Sequence, residues 1–175
     1  SGNTIDNCGS GVKFVRSDYN IVLNNVISSC ERGIDISDGS NNQFIGNNVS
    51  YSDYGGIEIR DDSNDNIIYH NNLVYNYDNA IDEGTNIWDD GEYGNYWSDY
   101  EDKYPDAKKI KKKGIWDTPY EIPGGNNLDN CPLIKKWPNV KSRDITMDIV
   151  SYGFYRLRFL ERFPLLKQLF SIYFL

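Results

Sequence analysis

The chain repeats one short phrase four times, as Gly11-Val12-Lys13-Phe14, Gly33-Ile34-Asp35-Ile36, Gly56-Ile57-Glu58-Ile59 and Ala80-Ile81-Asp82-Glu83. The first residues of these phrases are 22, 23 and 24 positions apart. A second phrase lies between them, as Ile21-Val22-Leu23-Asn24-Asn25-Val26, Phe44-Ile45-Gly46-Asn47-Asn48-Val49 and Ile68-Tyr69-His70-Asn71-Asn72-Leu73. Self-similarity at a period in the twenties is typical of solenoid proteins.

The alternation inside each phrase indicates which solenoid this is. Val12 and Phe14 are apolar and Lys13 between them is charged, which is the two-residue period of a half-buried strand. Helical repeats need ten or more residues at a 3.6 period, and leucine-rich repeats need a Leu-x-x-Leu-x-Leu frame. The sequence has neither. Short strands with polar corners predict an all-β fold, a parallel β-helix with coils about 4.8 Å apart.

Aligning the repeats predicts which side chains stack from coil to coil. Asparagine tolerates a left-handed corner and bonds to its own image one coil away, which predicts a ladder of Asn3, Asn24, Asn47 and Asn71. The same alignment predicts three apolar columns: Ile21/Phe44/Ile68, Val26/Val49/Leu73 and Val12/Ile34/Ile57/Ile81.

The phrases Gly-Ile-x-Ile and Ile-x-x-Asn-x-Val resemble the repeats of NosD-type right-handed β-helix proteins, also called carbohydrate-binding and sugar-hydrolase repeats. The resemblance extends into residues 86–134, which contain Asn86-Ile87-Trp88-Asp89-Asp90-Gly91, Gly94-Asn95-Tyr96-Trp97-Ser98-Asp99-Tyr100, Gly114-Ile115-Trp116-Asp117-Thr118-Pro119-Tyr120 and Asp129-Asn130-Cys131-Pro132-Leu133. These stretches look like the terminal module of archaeal and bacterial surface proteins of this kind. The resemblance implies an extracytoplasmic protein, secreted or on the cell surface.

Composition divides the chain into four segments. We predict β-helix coils over residues 1–86, the C-terminal part of a longer solenoid because the chain begins inside a repeat. An open coil end exposes apolar side chains, so the aromatic-rich residues 87–134 are predicted to cap it. Residues 135–151 are predicted to be a linker. Residues 152–175 are predicted to form a short amphipathic helical tail that docks on the coil, on another subunit or on a membrane surface.

Charge excludes one class of partner. Residues 1–102 hold 4 Lys and Arg against 19 Asp and Glu, and residues 103–175 hold 14 against 7. Nucleic-acid binding needs a basic face, so no nucleic-acid partner is expected of the acidic coils. A polysaccharide or cell-surface glycan remains as a partner.

The best candidate site is an outward column of Lys13, Asp35, Glu58 and Asp82, predicted to lie one coil apart on one face. Stacked carboxylates repel, so they bind a cation such as calcium or share protons, and paired carboxylates serve glycosidases. The alternative, which we favour, is a solvated acidic face. Arg60 beside Glu58 is a candidate to hold an acidic sugar. The chain contains no recognised glycosidase or lyase pattern.

Aromatic residues form a second group of candidates. Trp88, Tyr93, Trp97 and Trp116 are candidates to stack on sugar rings, although their clustering favours a role in the cap.

The sequence gives only weak indications of metal binding. Copper needs clusters of His, Cys and Met, and the chain has one histidine, His70, predicted at an exposed corner, so copper is not expected. Related proteins carry a calcium loop before the Gly-Ile pair, where this chain has Lys109, Lys111 and Lys113. We therefore expect no calcium loop there, and a salt bridge from Lys113 is the hypothesis in its place. No cofactor is predicted.

The cysteines leave two interpretations open. Cys8 and Cys30 lie 22 residues apart, about one coil, which is within disulfide range. Two stacked thiols are the favoured alternative, and Cys131 is unpaired in either case.

Three functions remain. The leading hypothesis is a non-catalytic scaffold or carbohydrate-binding surface. The first alternative is the C-terminal part of a polysaccharide lyase or glycoside hydrolase, and the second is a membrane-associated or assembly module acting through the tail. If the module is a scaffold, replacing Asp35, Glu58 or Asp82 is expected to raise stability by relieving repulsion.

Overall fold

The computed structural model describes residues 1–138, where the chain winds into stacked coils of short strands. Each complete coil gives one strand to each of three parallel sheets. The strands are β1 (Thr4–Asp6), β2 (Ser10–Val15) and β3 (Ile21–Leu23) in the first coil, β4 (Val26–Ser28), β5 (Arg32–Ser37) and β6 (Gln43–Ile45) in the second, β7 (Asn48–Ser50), β8 (Gly55–Arg60) and β9 (Ile67–Tyr69) in the third, and β10 (Asn72–Val74) and β11 (Asp78–Asp82) in the fourth. The predicted parallel β-helix is confirmed.

Every strand pairs with its equivalent one coil away. The sheet orders are β1-β4-β7-β10, β2-β5-β8-β11 and β3-β6-β9. A further strand, β12 (Tyr96–Trp97), extends the first sheet by pairing with β10. On the third side, the fourth coil adds a single parallel bridge between Ile67 and Ile87.

The core columns correct the predicted register. The stacked, buried residues are Val22/Phe44/Ile68, Ile27/Val49/Leu73/Trp97 and Val12/Ile34/Ile57/Ala80, with Val12 half-buried. The prediction that Ile21 belongs to a core column was wrong, because Ile21 pairs with Gln43 and is 63% exposed. The prediction that Val26 stacks on Val49 in a core column was also wrong, because Val26 pairs with Asn48.

The fourth coil departs from the predicted alignment by one residue. Ile81 pairs with Glu58, and Ala80 takes the core position above Ile57. A close approach between neighbouring coils sets this register. A β-carbon on Gly33 would overlap the carbonyl oxygen of Gly56, and one on Gly56 would overlap the carbonyl oxygen of Asn79. Asn79 rather than Ala80 therefore continues the glycine column.

Asparagine ladders run the length of the coils. In the first, the backbone N–H and Nδ2 of each asparagine donate to Oδ1 of the next, at 2.9–3.1 Å, through Asn3, Asn25, Asn47, Asn71 and Asn95. The predicted place of Asn24 was wrong: Asn24 has φ +53° and belongs to the left-handed corner column that contains Gly46 and His70. A second ladder, which the sequence did not predict, joins Asn20, Asn42, Asn66, Asn86 and Asn127.

The segment after β12 covers the end of the coils. It contains α1 (Tyr100–Lys103), the antiparallel pair β13 (Lys109–Ile110) and β14 (Ile115–Trp116), and the antiparallel pair β15 (Tyr120–Glu121) and β16 (Leu128–Asp129). Trp97 stacks on Tyr120 with ring centroids 3.9 Å apart. Tyr100 stacks on Trp116 at 4.7 Å, so a continuous layer of buried rings lies over the last coil.

The capping segment also ends both ladders. Asn127 Oδ1 accepts from the backbone N–H of Asn86 at 3.1 Å. Asp129 Oδ2 accepts from the backbone N–H of Asn95 at 2.7 Å and from Trp97 Nε1 at 2.8 Å. Asp129 Oδ1 accepts from the backbone N–H of Cys131 at 3.0 Å. Both carboxyl oxygens of Asp129 thus accept hydrogen bonds, whereas the Nδ2 of an asparagine here would bring an N–H against another N–H.

A disulfide links the first two coils. Cys8 and Cys30 are bonded, with Cα atoms 4.5 Å apart, so the less favoured of the two predictions is the one that the structure shows. Cys131 is free. The predicted tail at 152–175 and most of the predicted linker lie outside the described residues.

Candidate functional site

The predicted acidic column is a mixed ion network. Asp35 and Glu58 are adjacent in the register of β5 and β8, as predicted, but the favoured interpretation of a solvated acidic face was wrong, because both side chains are buried. Lys13 Nζ lies 3.1 Å from Asp35 Oδ2, and Arg60 donates to Asp35 Oδ1. Arg32 Nε donates to Glu58 Oε2 at 3.0 Å, and Arg60 lies 3.4 Å from the same oxygen.

Three cations therefore neutralise two carboxylates. Burial raises the pKa of Asp35, but hydrogen bonds from Arg60 and Lys13 outweigh it and bring that pKa below its ordinary value. Burial likewise lowers the pKa of Arg60, and the hydrogen bond to Asp35 more than offsets this. Both groups stay charged at neutral pH. The expected repulsion between these stacked carboxylates is offset, because each has a cation within hydrogen-bond distance.

Asp82 does not join this column. Its partner in the register is Ile59, so its side chain enters the core column of Phe14, Ile36 and Ile59. There its carboxylate accepts from Trp88 Nε1 at 2.7 Å and from Asn86 Nδ2 at 2.7 Å. Burial raises the pKa of Asp82. The one-residue shift in the fourth coil thus converts a predicted surface acid into an internal hydrogen-bond acceptor.

The aromatic candidates lie inside the cap. Trp88, Trp97 and Trp116 are buried, and their ring faces are occupied by other residues, so they present no face to a sugar. Tyr93 is half-buried beside Trp137, with ring centroids 5.9 Å apart. Arg60, the candidate to bind an acidic sugar, already forms ion pairs with Asp35 and Glu58.

His70 is enclosed, contrary to the prediction of an exposed corner. Its ring stacks on Trp137 at 3.4 Å and meets the edge of Tyr69 at 4.7 Å. Burial lowers its pKa to about 4, although Asp90 lies 3.6 Å from Nε2 and opposes that shift. The imidazole is therefore neutral at pH 7. The stretch that brings Trp137 here is fixed by Asn72, which bonds both the backbone N–H and the carbonyl of Trp137.

The lysine-rich loop does not adopt the hypothesised salt bridge. Lys109 Nζ lies 2.8 Å from Glu101 Oε1, and within residues 1–138 Lys113 has no carboxylate at ion-pair distance. Asp117 Oδ1 accepts from the backbone N–H of Lys108 at 2.8 Å and so closes the loop.

One surface feature was not predicted from the sequence. Four exposed tyrosines occupy the corner between the first and second sheets in the third and fourth coils: Tyr51, Tyr54, Tyr75 and Tyr77. We call this set the tyrosine corner. The signal was present, because Tyr51 and Tyr54 are followed 24 and 23 residues later by Tyr75 and Tyr77. These tyrosines lie between the apolar columns rather than within them, so the alignment of apolar residues did not reveal them.

Comparison with protein families agrees with this geometry. The family model described as periplasmic copper-binding protein (NosD) matches residues 1–102, which is more than half of the chain. The chain belongs to the NosD family. The comparisons with curated proteins and with solved structures found no match.

NosD membership indicates an extracytoplasmic location, and the Cys8–Cys30 disulfide is consistent with an oxidising compartment. Among the described residues, no helix has the length and apolar character needed to cross a bilayer.

The copper in the family's description does not fit the described residues of this NosD chain. Cys8 and Cys30 are consumed by the disulfide, and the neutral His70 is held between rings. Within residues 1–138, no three His, Cys, Asp or Glu side chains are grouped so as to hold a metal ion. Calcium does not fit the candidate ligands Asp35, Glu58 and Asp82 either, because Asp82 points into the core and the other two are bonded to cations.

Proposed function

We propose that this NosD chain is a non-catalytic module of a secreted or cell-surface protein, serving as a scaffold whose outer faces bind carbohydrate. The observation that carries the proposal is the ion network on the second sheet. Asp35 and Glu58 are the paired carboxylates that a glycosidase or lyase would use, and both are bonded to cations. Asp82, the third candidate, accepts hydrogen bonds from Asn86 and Trp88 in the interior of the coils.

The energetics of this network support a structural role. A carboxylate that acts as a general acid needs a raised pKa, and hydrogen bonds from cations favour the ionised form. The pKa of Asp35 is lowered, which is the opposite of what acid catalysis requires. The network instead ties the first three coils together, because Lys13, Asp35, Glu58 and Arg60 belong to successive strands of one sheet.

The interior supports the same proposal. Ladders and apolar columns fill the tube, and the capping rings close its end. This construction gives a filled solenoid with regularly spaced outer positions, which suits a scaffold. We propose residues 1–86 as the coils and residues 87–134 as the cap.

The test is a turnover assay combined with unfolding. The wild-type chain, Asp35→Asn, Glu58→Gln and the control Asp106→Asn are incubated with neutral and acidic polysaccharides, and reducing ends and unsaturated products are measured. The proposal predicts no turnover by any of them, with loss of stability in Asp35→Asn and Glu58→Gln but not in Asp106→Asn, because Asp106 is exposed and lies outside the ion network. Turnover by the wild type that disappears in a folded Asp35→Asn would establish the lyase or hydrolase alternative.

A further inference from the structure

The tyrosine corner combines exposure with a regular arrangement. Tyr51 and Tyr75 are 57% and 66% exposed, and their ring centroids lie 5.8 Å apart in successive coils. Tyr54 and Tyr77 are 54% and 81% exposed and form the neighbouring column. Exposed apolar groups are ordinary when they are scattered, but a contiguous set marks a binding surface.

The two central tyrosines occupy equivalent corner positions. Tyr51 and Tyr75 both have φ +55°, in the left-handed region that corner residues adopt throughout the coils, among them Tyr19 and His70. The coil geometry therefore sets this conformation. What distinguishes Tyr51 and Tyr75 is that two successive coils place tyrosine at the same corner position, with the two rings side by side.

The charges around the corner restrict the ligand. Glu31 stands in the same column as Tyr54, Asp53 lies between Tyr51 and Tyr54 in the chain, and Asp78 follows Tyr77. Arg32 lies 5.0 Å over the Tyr54 ring and is already bonded to Glu58. An acidic glycan or an anionic lipid surface would meet carboxylates there, and a neutral ligand would not be repelled.

We propose that the tyrosine corner binds a neutral polysaccharide that lies along the solenoid axis, with successive sugar rings on Tyr51 and Tyr75. A sugar ring presents a face of C–H groups that packs on an aromatic ring, and its hydroxyls bond to neighbouring polar groups. Tyrosine suits this contact because it joins a rigid apolar face to a hydroxyl. The carboxylates of Asp53 and Asp78 are acceptors for sugar hydroxyls. The inference rests on the proposed function and names the site and ligand class for it.

The experiment measures binding of the 175-residue chain to neutral and charged probes. The neutral probes are hexasaccharides of β-1,4-glucose, β-1,3-glucose and β-1,4-mannose, followed by isothermal titration calorimetry. Polygalacturonate and phosphatidylglycerol vesicles are the charged probes. The variants are Tyr51→Ser with Tyr75→Ser, and Tyr19→Ser as the matched control, because Tyr19 is 79% exposed on a different corner and also has a positive φ.

The proposal expects the wild type to bind at least one neutral hexasaccharide. It expects the double variant to bind that sugar about 100-fold more weakly, about 10-fold for each ring removed. Tyr19→Ser should retain wild-type affinity, and all variants should unfold at similar temperatures. No binding to any neutral probe, binding only to polygalacturonate or vesicles, or equal affinity in the double variant would overturn the proposal.

The same samples separate this inference from the proposed function. Product formation from the bound neutral sugar would show that the module is catalytic while leaving the tyrosine corner as its binding site. If neither binding nor turnover is detected, the scaffold function stands and the tyrosine corner is not a sugar-binding site.

Discussion

Replacing Asn47 by alanine tests the ladder that holds the coils in register. Asn47 is fully buried, and its Oδ1 accepts from the backbone N–H and from Nδ2 of Asn25, each at 3.0 Å. Its Nδ2 donates to the carbonyl of Val22 at 2.9 Å and to Asn71 Oδ1 at 3.0 Å. The variant removes all four hydrogen bonds and leaves buried polar groups on two neighbouring coils.

The magnitude follows from those four bonds. Each contributes a net of about 1 kcal/mol, and a buried group left without a partner costs about 1–3 kcal/mol. We expect Asn47→Ala to lower the free energy of unfolding by about 3–5 kcal/mol, because part of the orphaned surface can recover water.

Urea unfolding followed by tryptophan fluorescence measures this loss. The matched control is Asn126→Ala, because Asn126 is exposed and makes no hydrogen bond within residues 1–138. We expect the control to change stability by less than about 0.5 kcal/mol. A loss below about 1 kcal/mol for Asn47→Ala, or a loss equal to that of the control, would refute the ladder as a main source of stability.

Three further outcomes are expected. Burial raises the pKa of Asp129 to about 7, so its contribution to stability is full below about pH 4 and lost as pH rises through about 7. Between pH 4 and 8 the free energy of unfolding should therefore fall by up to about 4 kcal/mol more in the wild type than in Asp129→Asn, and parallel pH profiles would contradict this. Asp35→Asn should lose about 1–3 kcal/mol at pH 7 in urea unfolding, because Lys13 and Arg60 lose the carboxylate they share and Arg60 keeps only Glu58 as an anionic partner. A gain in stability would contradict the ion network. Joint replacement of Cys8 and Cys30 by serine should lower the free energy of unfolding by about 3 kcal/mol, because the 22-residue loop is no longer closed. If the wild-type chain, unfolded without a reductant, titrates three thiols, the Cys8–Cys30 disulfide is absent.

The repeats were sufficient to predict the architecture. Alternation of apolar and polar residues at a period in the twenties has few physical solutions, and the parallel β-helix is the one that matches short strands with asparagine corners. The position of an aromatic cap also followed, because an open coil end exposes apolar side chains.

Register was harder to predict, because the step between coils varies and the asparagines occur in pairs. In Asn24-Asn25 the second residue joins the ladder, whereas in Asn47-Asn48 the first one does. A shift of one residue moves a side chain to the other face of a strand. That shift explains why Ile21 is exposed.

The ion network and the ladder ends could not be predicted from the sequence. Arg32 and Glu58 are 26 residues apart and meet only because they lie diagonally across two coils. Asn127 and Asp129 lie in a hairpin that does not follow the repeat, so no periodic signal marks them as the ends of the two ladders. The stability gain expected on replacing Asp35 or Glu58 took account of Lys13 but not of Arg32 and Arg60. With these two cations paired to the carboxylates, we expect a loss of stability instead.

The most direct test of the stacked register is a nuclear Overhauser spectrum of the asparagine side-chain amides in ¹⁵N-labelled protein. The register predicts cross-peaks that join each side-chain amide to the next in the order Asn25, Asn47, Asn71 and Asn95, one coil at a time. Cross-peaks that place Asn24 in this series, or no contact between asparagines one coil apart, would contradict the stacking on which the faces, the cap and the tyrosine corner depend.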